Sequence, residues 1–362
     1  MARRKIKKKV KRTIILLTVT GIFLILTSIT YCYLATPMDK NSTATIEVDI
    51  ESGMTSKQIG DLLRKKGLIR SSSFFLLYTK MNNCSYLKAA TYDLKKSMTM
   101  DEILTTICTG LNYSKEAINI TFKEGKRITD YAELIEKETN NTFDDVINTI
   151  KNKEYIKTLI NKYWFLTEEV LNDEIYYPLE GYLFPDTYQF KNKNVTPKEI
   201  IEKLLDREEE ILEAYKEKLT NKKHTIHEYI ALASMAELEG TNTENRKKII
   251  GVFENRLKKG MNLGSDVTTY YAFQKSMSSG DLTKKEFATF NPYNTRAENM
   301  LSLPVGPICS ISSSSLEATT EPENNFYYYF VADKLGNIYY TKTNEEHLKK
   351  AQEIKDAGNW IW

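Results

Sequence analysis

The first strong pattern along the chain is an apolar run from Thr13 to Leu34 that contains no charged residue. At about 1.5 Å per residue it is long enough to cross a bilayer as a helix. A short polar linker follows, and then the period changes. Ile46 to Ile50 alternates as a strand does, Gly53 turns the chain, and Thr55 stands as an N-cap before Ile59, Leu62 and Leu63 at helical spacing. Gly67 ends that helix. Ser71 to Met81 predicts a second short helix, Ala90 to Leu94 a strand, and Thr99 to Thr109 a helix stopped by Gly110. Together these elements make a small α+β module.

Ile118 to Phe122 alternates again, with Gly125 as a turn and Tyr131, Leu134 and Ile135 on a helix face. Gly53, Ile59, Leu62 and Leu63 match Gly125, Tyr131, Leu134 and Ile135 at one constant offset. This reads either as a duplicated strand–turn–helix unit or as chance recurrence of a common motif. Asp144 to Leu219 is helical and charged, except at Tyr176 to Tyr188 (YYPLEGYLFPDTY), where Pro178, Gly181 and Pro185 predict a loop. Its Tyr177, Tyr182, Phe184 and Tyr188 suit stacking on sugar rings or burial beneath the loop itself. Helices are expected from Thr225 to about Glu239 and from Thr243 to Lys259, the second with Ile249, Ile250, Phe253 and Leu257 on its apolar face and Gly260 as its stop. Phe326 to Thr341 reads as a hairpin across Lys334 to Asn337. Asn344 then caps a last helix carrying Leu348, Ala351 and Ile354 and ended by Gly358.

One position in this pattern is out of place. Ile226, Tyr229, Ile230 and Ala233 repeat at helical spacing in HTIHEYIALASMAELEG, and Glu237 falls on the same stripe. Packing asks for no carboxylate there. Desolvation is expected to raise its pKa and keep its proton near neutral pH, as a general acid requires. The plainer reading makes Glu237 an exposed helix end or the partner of an Arg. Glu239 is expected on another, solvated face. Glu244 and Arg246, at the start of the next helix, are placed either to tune Glu237 or to pair along the surface.

Composition narrows the class of function. At 362 residues, 41% hydrophobic and 27% charged, the chain is globular and long enough for two or three domains. The net charge of +3 hides an asymmetry: Arg3, Arg4, Lys5, Lys7, Lys8, Lys9, Lys11 and Arg12 all precede the apolar run. The remainder is therefore acidic, which excludes a basic body for nucleic acid. The same cluster orients the span with its N-terminus inside. A cleaved signal peptide is the rival, but the run is long for one and no A-x-A site follows. Cys32 follows the bulky Tyr31, unlike a lipoprotein site, and reads as a lipid-facing residue of the span. Cys84, Cys108 and Cys309 lie outside the span, so at least one thiol is unpaired, and a Cys84–Cys108 bridge is one option that the sequence leaves open. So few cysteines support neither a zinc ribbon nor an iron–sulfur site. His224 and His227, beside Glu228, match no zincin spacing and read as helix-surface histidines. No glycine-rich phosphate loop precedes a helix. No metal and no cofactor are expected.

Seven motifs in order resemble the endolytic murein transglycosylase family, also called YceG-like. They are LEGYLFPDTY at Leu179–Tyr188, ASMAELE at Ala233–Glu239, VFENRLKKGMNLGSD at Val252–Asp266, NPYNT at Asn291–Thr295, LPVGPI at Leu303–Ile308, YYFVADKLGNIYYT at Tyr328–Thr341 and EEH at Glu345–His347. The resemblance covers nearly the whole chain. It implies an α+β protein with a cytoplasmic basic arm (1–12), a single N-terminal transmembrane helix (13–34) and a linker (35–43). A small LysM-like α+β subdomain (44–111) and a larger mixed α+β catalytic domain (112–362) follow.

The resemblance also implies a reaction: endolytic, non-hydrolytic cleavage of the MurNAc-β-1,4-GlcNAc bond in nascent peptidoglycan. The muramoyl C6 hydroxyl attacks and leaves a 1,6-anhydroMurNAc end, which limits strand length. Glu237 matches the family's essential Glu and would act first as acid and then as base. A glycosidase that uses water normally needs two carboxylates. Glu180, Tyr182, Asp186, Ser265, Asp266, Tyr293, Asn294 and Thr295 fall in the motifs as implied glycan contacts, and each also reads as a loop staple, cap or turn. The implied partners are glycan strands, peptidoglycan synthases and the elongation machinery. The implied location is the cell membrane, with the catalytic domain on the extracytoplasmic side.

The chain departs from the family pattern where Val267 replaces Pro, Arg296 replaces Tyr, and Cys309-Ser310-Ile311-Ser312 stands near the usual Asn-Pro-Gly. These changes bear on the glycan contacts more than on the acid, and they allow reduced activity or altered glycan preference. Two readings compete: a non-catalytic, membrane-anchored glycan-binding scaffold, and a metal-dependent hydrolase built on the histidines.

Overall fold

The computed structural model describes residues 2–51, 53–82, 84, 87–110, 117–220, 223–278 and 280–360, with side chains from residue 17 onward. The boundary expected between 111 and 112 lies outside the described residues, as do the side chains of the basic arm. The chain divides into two compact units, Met1–Ile118 with Gln189–Lys193 and Asn119–Tyr188 with Asn194–Trp362.

The first unit begins with helix α1 (Ala2–Ala35), whose Leu17–Ala35 stretch has a mean hydropathy of 1.8 and is long and apolar enough to cross a membrane. Then come β1 (Thr45–Ile50), α2 (Ser56–Lys65), α3 (Ser72–Met81), β2 (Ala90–Lys95) and α4 (Met100–Thr109). β1 and β2 pair antiparallel with Val48 opposite Tyr92. Strand alternation puts Val48, Ile50, Tyr92 and Leu94 on one face, where they bury against Ile59, Leu63, Phe75, Ile103 and Ile107 from the helices. Thr55 and Thr99 complete capping boxes with Gln58 and Glu102, which fixes where α2 and α4 start. Cys84 and Cys108 form a disulfide with Cα atoms 6.1 Å apart, so the bridge that the sequence left open is the one made. It ties the segment after α3 to the last turn of α4.

Apart from Ile118 and Gln189–Phe190, the second unit contains β3 (Ile118–Thr121), α5 (Ile128–Glu138), α6 (Phe143–Lys151), α7 (Lys153–Lys162), β4 (Thr187–Phe190), α8 (Pro197–Glu213) and α9 (Lys216–Leu219). It continues with α10 (Ile226–Glu239), α11 (Thr243–Lys259), α12 (Asp266–Ala272), α13 (Lys284–Ala288), α14 (Ser313–Thr320), β5 (Tyr329–Ala332), β6 (Ile338–Thr341) and α15 (Asn344–Asp356). β3 pairs with β4, and β5 with β6 as the expected hairpin, with Ala332 opposite Ile338. α10 is the centre. Every residue from Tyr229 to Glu237 is buried, so the helix has no solvated side and no one-sided stripe. α14 packs against both α10 and α11.

The aromatic loop at 176–188 is built into this core. Gly181 adopts a φ of +83° beneath Ile230 and Pro307, where no Cβ would fit. Tyr182 is fully buried. Its hydroxyl lies 2.7 Å from His227 Nδ1, while His227 Nε2 lies 3.0 Å from the Val305 carbonyl. Only an N–H can face that carbonyl, so Nδ1 accepts from Tyr182. Burial holds the His227 pKa below 6.5. This corrects the expectation of a surface histidine. Glu180 is equally enclosed, accepting from the Ile128 N–H at 3.0 Å and the Tyr271 hydroxyl at 2.9 Å. Burial pushes its carboxyl up to about 8 against those two donors.

Gly181→Ala is expected to cost about 2–4 kcal/mol, because the new methyl meets Pro307 and Ile230 at a left-handed backbone position; chemical denaturation of the variant beside the parent measures it. Glu180 sets a pH dependence of defined sign. Below 4.5 both folded and unfolded chains hold its proton, and above that only the folded chain does until pH approaches 8. Its contribution is thus complete in acid and is lost as pH rises. Glu180→Gln should match the parent near pH 5 and exceed it by up to roughly 3 kcal/mol near pH 8, a comparison that denaturation at the two pH values provides.

Candidate functional site

Three helix ends converge on Glu237. Thr225 starts α10 with a capping box to Glu228. Glu237 comes on the last turn, and Gly240 ends the helix where a Cβ would press on Arg246 Cγ at 2.5 Å. Asn242 then caps α11, its side chain accepting from the Asn245 N–H at 2.9 Å. That reversal brings Arg246, on the first turn of α11, back over Glu237. Ser312, the N-cap of α14, supplies the third end.

The contacts to the carboxylate are short and complete. Arg246 Nη2 donates to Oε1 at 2.7 Å. Oε2 accepts from the Ser312 N–H at 2.9 Å and the Ser312 hydroxyl at 2.6 Å. The side chain of Glu237 is 3% exposed and that of Arg246 12%, so this is a buried pair. Arg246 also bonds the hydroxyls of Ser312 and Ser314 and the Glu237 carbonyl. The N-terminus of α14 adds its partial positive charge on the Oε2 side. Burial agrees with the reading from helical spacing, while the Arg partner is the one that the plainer reading offered. The carboxylate sits among donors because helix α10 ends there.

The turn after β3 forms the next wall. Gly125 Cα comes so close that a Cβ would lie 4.0 Å from Glu237 Cγ. The Gly125 N–H donates to the Ser310 carbonyl at 3.0 Å, and Ser310 N–H donates to the Lys126 carbonyl at 2.8 Å. Glu239 corrects the expectation of a solvated carboxylate. It is half-buried and accepts from the Ser265 hydroxyl at 2.6 Å, and burial pushes its carboxyl up to about 7.

The structure sorts the remaining motif residues into two groups. Glu180, Tyr182, Ser265, Tyr293, Asn294 and Thr295 are buried. Thr295 Oγ1 accepts from the Ser265 N–H at 3.1 Å, and Asn294 Oδ1 from the Thr269 hydroxyl at 2.7 Å. The Tyr293 ring packs 4.9 Å from Tyr176 and 4.7 Å from Tyr271. The polar atoms of this group largely bind other protein groups, so they frame the site. Asp186 is exposed and pairs with Arg207 at 3.1 Å. Asp266 starts α12 and pairs with Arg296. Two of the three family departures are absorbed locally: Arg296 in that ion pair, Val267 in the apolar core. In the third, Ser310 holds the Gly125 turn and Ser312 is a direct partner of the acid. Sequence reasoning placed Arg246 beside Glu237 but missed Ser312. The signal was present in Ser312-x-x-Ser315, an N-cap pattern before a helix that was not anticipated. Glu244 is exposed.

Comparison with known proteins agrees with the motifs. The model of the YceG-like family matches residues 48–353. A Bacillus subtilis (strain 168) protein named endolytic murein transglycosylase is 33% identical over 324 residues, covering 89% of this chain and 88% of that protein. A protein of the same name from Streptococcus pneumoniae serotype 2 is 31% identical over 331 residues, covering 88% of this chain, which spans 60% of that longer relative. A crystal structure of a YceG-like protein from Listeria monocytogenes superposes with a TM-score of 0.60 at 34% identity, covering 85% of this chain and 99% of that one. With the family model matched over residues 48–353 and a relative 33% identical over 89% of its length, the chain belongs to the YceG-like family.

Proposed function

We propose that the chain is a membrane-anchored lytic transglycosylase that cuts within peptidoglycan glycan strands. The observation that carries this is the buried carboxyl of Glu237, held by Arg246 and by Ser312 at the meeting point of three helix ends. Relatives named endolytic murein transglycosylase support the same reaction, and they do not favour a non-catalytic scaffold.

In the proposed cycle Glu237, ionised in its pair with Arg246 at rest, takes up a proton as the glycan enters and gives it to the glycosidic oxygen between MurNAc and GlcNAc. The bond from that oxygen to muramoyl C1 breaks, leaving a GlcNAc 4-hydroxyl. The muramoyl C6 hydroxyl then bonds to C1 and returns its proton to Glu237, forming the 1,6-anhydroMurNAc end. The proton count closes on one carboxyl, and no water is consumed. Arg246 and Ser312 act as positioning residues that hold the carboxyl in one rotamer. Ser265 and Asp266, beside Glu239, are the proposed edge of the glycan cleft, with Asp186 as a further surface contact. Glu180, Tyr182, Tyr293, Asn294 and Thr295 shape the cleft from beneath.

The proposed topology puts the basic arm in the cytoplasm and everything after α1 outside. Eight Lys and Arg residues before the span support it by the positive-inside rule. So does the Cys84–Cys108 disulfide, which persists in an oxidising compartment and not in a reduced cytosol. The strand–helix–helix–strand order of 45–95 supports the LysM-like reading of the small module. Peptidoglycan synthases and the elongation machinery are the proposed partners.

Mass spectrometry of products from uncrosslinked glycan strands tests the reaction. The parent should yield 1,6-anhydroMurNAc ends, and Glu237→Gln should lose at least ~10²-fold of that activity while keeping its fold. Reducing ends would mean hydrolysis. Binding without cleavage by the parent would favour the scaffold. Arg246→Ala, which leaves a buried carboxylate without its charge partner, should lose about 3 kcal/mol of stability. Ser312→Ala, which removes one donor and the α14 cap, should cost about 1 kcal/mol, and in both variants activity per folded molecule should fall.

A further inference from the structure

The end of the apolar stretch of α1 is packed against the small module. The Tyr31 ring meets Phe74 of α3 edge-on with centroids 5.5 Å apart, and it lies 6.2 Å from Tyr78. Leu34 and Ala35 close over the module's hydrophobic core. Arg70, just ahead of α3, donates to the Pro37 carbonyl at 2.7 Å and stands over the Tyr33 ring at 4.6 Å. It bonds the Thr36 carbonyl as well. These contacts bridge the end of the helix, so span and module meet in a packed joint. Tyr31 stands four residues before the end of α1, ~6 Å inside it at the rise of an α-helix. A helix touching Tyr31 is therefore held at the level where the span leaves the hydrocarbon.

The surface of α3 suits that level. Phe74 and Tyr78 face α1. Leu77 follows Phe74 by three positions and Met81 by seven, so both adjoin that face. They are 53% and 58% exposed. Single apolar side chains on a surface need no special account, but these two continue the face already in contact with the span. Lys80, on the same exposed side, has a stem long enough to lie along the apolar layer with its ammonium among headgroups.

We propose that Leu77 and Met81 lie in the interfacial layer of the bilayer, so that the small module rests on the membrane as a monotopic element beside its own anchor. The proposal depends on α1 being a retained anchor. The test uses the full chain with Cys32→Ser, reconstituted in phosphatidylglycerol–phosphatidylethanolamine nanodiscs. One fluorescent label is placed at Leu77→Cys or, in a companion, at Leu24→Cys in the span. Both are exposed positions, and Cys309 is buried. Lipids carrying a nitroxide near the headgroup should quench the Leu77 label more strongly than aqueous iodide does, and lipids with a deep nitroxide should quench the Leu24 label. Quenching at Leu24 with only iodide acting at Leu77 would overturn the proposal and leave the anchor standing. Loss of lipid quenching at both would overturn the anchor reading and this proposal with it.

Discussion

The second unit is organised around one enclosed ion pair, Glu237 with Arg246. An ionised carboxylate is expensive to remove from water, and removing one member of such a pair costs about 3–5 kcal/mol. The fold meets that cost by ending three helices at one point. α10 brings the acid, α11 the guanidinium, and α14 an N–H and a hydroxyl. This need explains why α10 stops at Gly240, why α11 turns straight back, and why α14 lies across both. Glu237 lies on the last turn of the central helix, so the enclosed ion pair and the core share one boundary.

A second layer of polar contacts holds the first in place. Beside Glu237 the Gly125 N–H donates to the Ser310 carbonyl and the Ser310 N–H to the Lys126 carbonyl, and the loop at 176–188 is riveted underneath through Gly181, Tyr182 and Glu180. The residues that match family motifs therefore divide by depth. Buried ones fix backbone positions, and the exposed Asp186 and half-buried Asp266 are already paired with arginines. A motif can persist because the frame needs it as much as because a substrate touches it.

Much of this was legible from spacing. Capping residues at Thr55, Thr99 and Thr225 marked helix starts correctly, because a side-chain oxygen bonding an N–H three residues on is a local event. The strands at 46–50 and 118–122 and the hairpin at 326–341 were legible for the same reason. Three short helices, α12 to α14, and strand β4 were not, since four to eight residues carry too little periodicity to stand out. The environment of Glu237 was half legible. Its burial followed from the stripe and Arg246, 9 positions on, was within reach of local reading, but Ser312 lies 75 positions away, and nothing in local sequence announces such a pairing. His227 was misjudged because α10 is buried on every side, so its periodic stripe says little about which residues meet water.

Ser312 has two employments. Its hydroxyl accepts from the Ser315 N–H to begin α14 and donates to Glu237 Oε2. A residue there must be able to start a helix and also offer a proton to a carboxylate. Aspartate can do the first and would repel Glu237. Alanine can do neither. Serine and threonine satisfy both, with asparagine a poorer third. In this chain a substitution at 312 therefore disturbs the start of a helix and the setting of a carboxylate in the same step.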